Sequence, residues 1–301
     1  MAIENLVHIN ECGLPLNAIS WLETHHQSKL AEREQMIRDL YLKHGSRIVD
    51  AGCGPGLWTP LLARAIGPRG HILGVDVSAE ALVTARLRSR DTWFEQQVSY
   101  KQSSMEHLPV ADGSIDAIFS ANVSQYLPAP VETFALLGRY LAPGGRLIVK
   151  DIDFGTLRFH SIDPSLQARV FQAREEWERQ RVPLGYLFED SWVGSKLAGY
   201  LRAAGYEHVQ ERSYTIVRRA PLTPEFRAYL QGIGEWFVCE DAPFLAKDDI
   251  CRWLDCFADG PACALDRDCF QYEETEFMVT GLWPGTRARH FFDMQVAVLE
   301  P

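Results

Sequence analysis

Residues 50–56 read Asp-Ala-Gly-Cys-Gly-Pro-Gly, and a second aspartate, Asp76, stands 26 positions after Asp50. Three glycines in five positions forgo side-chain burial and carry a high entropic cost, so the backbone itself is what this loop presents. A closely approachable backbone between a strand and a helix is how open α/β sheets hold a nucleotide. The spacing is G-x-G-x-G (Gly52, Gly54, Gly56), not the G-x-G-x-x-G that seats a dinucleotide pyrophosphate. Asp50 argues the same way. A carboxylate is unhelpful beside a pyrophosphate and useful beside a positively charged ligand.

The surrounding pattern supplies elements to carry this loop. "RIVD" (47–50) is a short apolar strand running into the glycines, and "LWTPLLARAIG" is a helix stopped at Gly67. "HILGVDVS" is a second strand ending at Asp76, followed by the amphipathic "AEALVTARLRSR". "VSYKQ", "SIDAIFSAN" and "RLIVKDID" read as three further strands, with "VETFALLGRYL" as a helix and "PGG" (143–145) as a turn. Strands alternating with helices predict a mostly parallel sheet covered on both faces. After Asp153 the rhythm becomes more helical, with two late alternating strands, "HVQERSYTIVRR" and "YEETEFMVTGLW", on either side of a helical stretch of about fifty residues. These strands can pair antiparallel at a sheet edge, with the helical stretch as a lid. Residues 17–43 read as helix.

"VDAGCGPG", Asp76 at the end of the second strand, "MEHLPV" before the fourth and "LAPGGRLIV" leading into the fifth resemble the motif series of class I S-adenosylmethionine-dependent methyltransferases. "DIDFGTLRFHSIDPSLQARV" and "WVGSKLAGYLRAAGY" are similar to the ubiquinone/menaquinone-type (type 11) small-molecule branch. The resemblance implies a Rossmann-like, seven-stranded, mostly parallel sheet with its last strand antiparallel, helices on both faces and a helical cap. It divides the chain into an N-terminal cap (1–45), a core (46–220 and 271–301) and a lid insert (221–270). It also implies roles in holding S-adenosylmethionine and its product S-adenosylhomocysteine. Asp76 would accept from the ribose diol, and Val77 and Met105 would cover the two adenine faces. Gly52, Cys53 and Gly54 would bring the backbone to the ribose and methionine moieties, and Asp50 would meet the cationic amino end. Asn122 would offer its carbonyl to the same amino group, and Gln125 would touch cofactor or substrate. Ser104 stands where the family often has an acidic residue and is a weaker acceptor for the adenine amine.

Methyl transfer from a sulfonium needs alignment, exclusion of water and a free lone pair on the acceptor. Oxygen and carbon acceptors need a general base more often than nitrogen does. Asp153, at the carboxyl end of the fifth strand, and Tyr126, just past the fourth, are the catalytic candidates. His160, His25, His26 and His107 are weaker ones, read as surface or packing residues. "SANVSQYL" lacks the N/D-P-P-Y turn of enzymes that methylate DNA-base or glutamine amides. Aromatic residues (Tyr186, Phe188, Trp192, Tyr229, Trp236, Phe237, Phe244, Trp253) with acids among them (Glu235, Glu240, Asp241) suit a planar or cationic acceptor, although such stripes are more often core. The expected reaction is N- or O-methylation of a small specialised metabolite. The alternatives are a quinone- or prenyl-type C-methyltransferase, an NAD-dependent oxidoreductase and a non-catalytic cofactor-binding protein.

The 301 residues are 47% hydrophobic and 23% charged, with a net charge of −10, which argues against a nucleic-acid partner. No apolar run reaches membrane-span length, and the N-terminus lacks a signal-peptide pattern, so a cytoplasmic location with no membrane partner is expected. Nothing in the pattern sets an oligomeric state. Seven cysteines suggest reduced thiols. The spacing of Cys251, Cys256, Cys263 and Cys269 lacks the C-x2-C hook of zinc sites, so these read as small buried apolar residues and no metal is expected. Arsenite methylation would need paired thiols at the active face.

Overall fold

Three short segments whose residues are buried on both faces begin the sheet. They are β1 (Arg47–Ala51), β2 (His71–Asp76) and β4 (Ile115–Ala121), with β3 (Val98–Gln102) more exposed beside them. Ile48, Val49, Ile72, Val75 and Ile118 are each 1% exposed or less, as expected of strands covered by helices on both sides. β1 pairs parallel with β2 and β4, β2 with β3, and β4 with β5 (Leu141–Phe159). With β6 (Glu207–Arg219) and β7 (Gln271–Leu282), the order is β3-β2-β1-β4-β5-β7-β6. The winding therefore reverses beside β1, where this architecture places its ligands. The computed structural model describes residue 10 and residues 16–181, 189–239 and 244–285.

Among the described residues the chain also forms α1 (Ile19–Ser28), α2 (Leu30–Asp39), α3 (Thr59–Ile66), α4 (Ala79–Ser89), α5 (Pro130–Gly138), α6 (Pro164–Arg181), α7 (Leu197–Ala203), α8 (Pro224–Cys239) and α9 (Lys247–Asp255). Each crossover helix has a local cause. α3 carries Pro60 in its first turn and stops at Gly67, while Ser78 caps α4 by accepting from the Ala81 amide at 2.9 Å. β7 runs antiparallel to β5: Trp283 donates to Gly145 near one end and His160 donates to Gln271 near the other. Ala220 donates to Phe270 where β6 meets β7, so the late strands pair antiparallel as expected.

Two local readings change. Pro143-Gly144-Gly145 lies inside β5, where a bulge between the pairs Ile115–Leu141 and Ala117–Arg146 absorbs the extra residues without ending the strand. The helix over 17–43 is broken at Lys29, which leaves helical geometry at φ −128°. The Lys29 ammonium is buried against Glu274 and Glu276, a tertiary contact that periodicity does not reveal.

Two compact units divide the chain. The first comprises Met1–Glu34, Ile152–Trp192 and Tyr214–Glu276, and the second Gln35–Asp151, Val193–Ser213 and Phe277–Pro301. The 221–270 insert thus groups with 152–192, which the sequence reading kept in the core. In the first unit Tyr229, Trp236, Phe237 and Trp253 are 3% exposed or less and interlock with Phe154, Phe159 and Tyr272, so these aromatics form a core and not an open wall. Glu240, Asp241, Tyr186, Phe188 and Cys12 lie outside the described residues. Cys263 is buried as expected, but Cys251 and Cys269 are exposed, because their segment runs over the surface. Among the described residues no group of three or more His, Cys, Asp or Glu could hold a metal ion.

Candidate active site

The second unit brings the glycine loop and Asp76 together. Gly52 and Cys53 both donate to the carbonyl of Val75, at 2.8 and 3.0 Å, which turns the loop back over the end of β2. Gly54 then donates to Oδ2 of Asp76 at 2.7 Å, while Oδ1 accepts from Ser78 at 2.9 Å. Gly52, Gly54 and Gly56 are all left-handed, with φ of 76°, 51° and 74°. At Gly52 a Cβ would stand 2.3 Å from Cγ2 of Val123, so both the dihedral and the space demand glycine there.

Asp50 is 1% exposed, and its Oδ2 meets no hydrogen-bond donor among the described residues. Burial, and then the charge of Asp76, push its pKa up to about 8. A nearby cation would reverse that shift. Cys53, also buried, has its thiol pushed well up by burial and by the same two aspartates, so it stays protonated.

Opposite the loop, the turn after β4 is built on β5. Asn122 is left-handed at φ 59°, its amide donates to the Lys150 carbonyl at 2.8 Å, and its Oδ1 accepts from Lys150 Nζ at 2.7 Å. A single turn of 3-10 helix over Ser124–Tyr126 follows. The Gln125 amide donates to Asp151 at 3.3 Å, and the buried Gln125 Oε1, like Asp50 Oδ2, has no donor among the described residues. Tyr126 is half-buried, with its amide on Val123.

The adenine contacts implied by the sequence divide. Val77 is 44% exposed and presents an apolar face beside Asp76. Met105 packs into the hydrophobic core with Val75 and Leu108. Ser104 Oγ lies 3.4 Å from His107 Nδ1. Asp153 belongs to the first unit, where it is 5% exposed and its Oδ1 accepts from Gly155 at 2.9 Å. His160 faces Glu273 at 3.3 Å on the surface of that unit. His25 and His26 are buried there among Lys29, Arg33 and Glu276, so of the two expected roles they pack, and burial with the neighbouring Lys29 and Arg33 charges holds the His25 pKa well below the ordinary imidazole value. Lys150 escaped sequence reasoning, although Asp151 beside it opens the stretch that resembles the type 11 branch. The available signal was a lysine following the apolar run Leu147–Val149 in a buried strand.

A family model described as a methyltransferase domain matches residues 42–204, more than half of the chain. The chain belongs to this family. It is 30% identical over 236 residues to a 37.1 kDa protein of unassigned function in transposon TN4556 of Streptomyces fradiae, covering 75% of this chain and 61% of that protein. A demethylmenaquinone methyltransferase of Staphylococcus saprophyticus is 24% identical over 61% of this chain and 79% of its own length. The chain spans less than two thirds of the transposon protein. Among solved structures, a geranyl diphosphate methyltransferase in complex with S-adenosylmethionine aligns with TM-score 0.50 and 19% identity, covering 88% of this chain and 89% of that one, a likeness of fold. Family and sheet both agree with the expectation from the motifs.

Proposed function

We propose that the protein is an S-adenosylmethionine-dependent methyltransferase acting on nitrogen or oxygen of a small molecule. The observation that carries this reading is the buried Asp50 carboxylate, without a donor on Oδ2, beside a left-handed glycine loop tied to Asp76. The residues fit the cofactor. Asp50 Oδ2 and Gln125 Oε1 are buried acceptors short of donors, as an ammonium would require, and the loop leaves no room for a Cβ at Gly52. When bound, the cofactor supplies a sulfonium-activated methyl group.

This chain's residues hold and orient. Asp50 takes the ammonium and releases its proton. Asp76 exchanges an oxygen's contact with Gly54 for the ribose hydroxyls, and Val77 covers an adenine face. Asn122, fixed by Lys150, aims its carbonyl. Tyr126, in the same unit as the glycine loop, is assigned to the acceptor, and Asp153 is the residue proposed as general base.

Calorimetric titration with S-adenosylhomocysteine and, in parallel, NAD tests the cofactor. Binding of the first, lost in Asp76→Ala, with none of the second is expected. NAD binding alone would return the oxidoreductase reading. Loss of turnover with intact cofactor binding in Tyr126→Phe or Asp153→Asn supports the catalytic assignment, and full activity in both sinks it. A second reading, C-methylation, is favoured by relatives named for demethylmenaquinone and geranyl diphosphate. Transfer of labelled methyl to a panel of aromatic amines, phenols, quinols and prenyl diphosphates separates the two.

A further inference from the structure

At the other end of its strands from the glycine loop, the second unit carries a cavity of about 540 Å3. Residues 41–46 ahead of β1, Asp116 and Ala117 at the start of β4, and residues 142–146 of β5 line it. β1 and β4 are parallel, so their amino ends share this side while Asp50 and Ala51 end on the other. At the usual strand rise the two sites are separated by roughly 16 Å of β1.

The cavity gathers positive charge in a chain whose net charge is −10. Lys43 and Arg146 line it. Arg146 decides the matter. Its guanidinium is half-buried and donates to the Leu40 carbonyl at 2.8 Å, and among the described residues no carboxylate pairs with it or with Lys43. Burial alone, unopposed by any neighbouring acid, lowers its pKa. The acid on the same rim, Asp116, already accepts the Arg47 amide at 2.7 Å. A half-buried cation without a counter-charge carries part of the desolvation cost of a buried one, and an incoming anion offsets it.

We propose that this cavity binds the phosphate group of a small soluble metabolite, held by Arg146 and Lys43. The guanidinium fork matches phosphate oxygens, and lysine adds a point charge. The volume lies within the range of small-ligand sites and exceeds what one phosphate fills. Tyr41, 78% exposed on the rim, offers a ring to the rest of the molecule.

The test is calorimetric titration of the full chain with pyrophosphate in a low-salt buffer free of phosphate, beside a titration with S-adenosylhomocysteine. Saturable pyrophosphate binding, weakened at least about tenfold by Arg146→Met and by Lys43→Ala with unchanged S-adenosylhomocysteine affinity, is expected. Lys43 is exposed, so its variant remains informative if Arg146→Met fails to fold. Absence of saturable binding overturns the proposal, as does binding that neither substitution weakens. Co-sedimentation with phosphatidylglycerol vesicles that depends on Arg146 and Lys43, without pyrophosphate binding, also overturns it in favour of a membrane surface. Pyrophosphate binding through Arg146 in a protein that ignores S-adenosylhomocysteine would leave this site standing while removing the methyltransferase reading.

Discussion

Lys150 and Asn122 hold each other twice, through Nζ to Oδ1 at 2.7 Å and through the Asn122 amide to the Lys150 carbonyl at 2.8 Å. That clasp keeps a non-glycine residue left-handed at the turn after β4. Lys150→Met fills the same space without the charge, leaving Oδ1 without this donor at a cost of about 1–3 kcal/mol. The expected result is a lower urea midpoint and S-adenosylhomocysteine binding weakened roughly tenfold. Unchanged affinity would detach the turn from the cofactor.

Gly52→Ala combines a Cβ 2.3 Å from Val123 with a φ of 76°. Strain of roughly 1–3 kcal/mol is expected, with loss of cofactor binding as the loop shifts. Gly52→Ala combined with Val123→Ala relieves the contact but not the dihedral. Thermal unfolding should therefore recover only in part, and full recovery would show that the dihedral costs nothing.

Asp50 carries a pH dependence whose sign is opposite to that of most carboxylates. Its pKa in the folded protein, about 8, is above its unfolded value, so the folded state holds the extra proton. The stability this confers is complete below about pH 4 and is lost as pH rises through about 8. Asp50→Asn should flatten that decline in urea titrations. At pH 7, cofactor binding should release close to one proton, seen as a dependence of calorimetric enthalpy on buffer ionisation. No such release in the wild-type protein would remove Asp50 from the ammonium.

In the first unit, Lys29 is fully buried and bonds Glu274, Glu276 and Tyr229. Lys29→Met strands two buried carboxylates, with an expected loss of about 3–5 kcal/mol in chemical denaturation. A loss below about 1 kcal/mol would mean that water or proton uptake compensates.

Much of the second unit was legible because its signals are local. Alternation of apolar runs marks β1, β2 and β4, and the spacing of Gly52, Gly54 and Asp76 marks the loop. What escaped depends on tertiary context. Lys29 breaks a helix that its periodicity supports, and it does so beside His25 to meet Glu276, which a distant strand contributes. Pro143-Gly144-Gly145 reads as a turn because the bulge that accommodates it requires β4 alongside. Trp236 and Trp253 suited a pocket wall as well as the commoner core, and the packed aromatics around them place both in the core. Lys150 was hidden by its neighbours, since a charged residue among apolar ones is read as an interruption until its partner, Asn122, is in place.

Among the described residues β7 is the last strand, yet it lies between β5 and β6, and it contributes to both units. The family match ends at residue 204, long before that strand is made. During synthesis, β6 therefore leaves the ribosome with its hydrogen-bonding neighbour still untranslated, and an unpaired strand edge stays open to other chains. A fragment cut at residue 204 lacks both β6 and β7 and leaves the edge of β5 uncovered, so it should be soluble only with chaperone help.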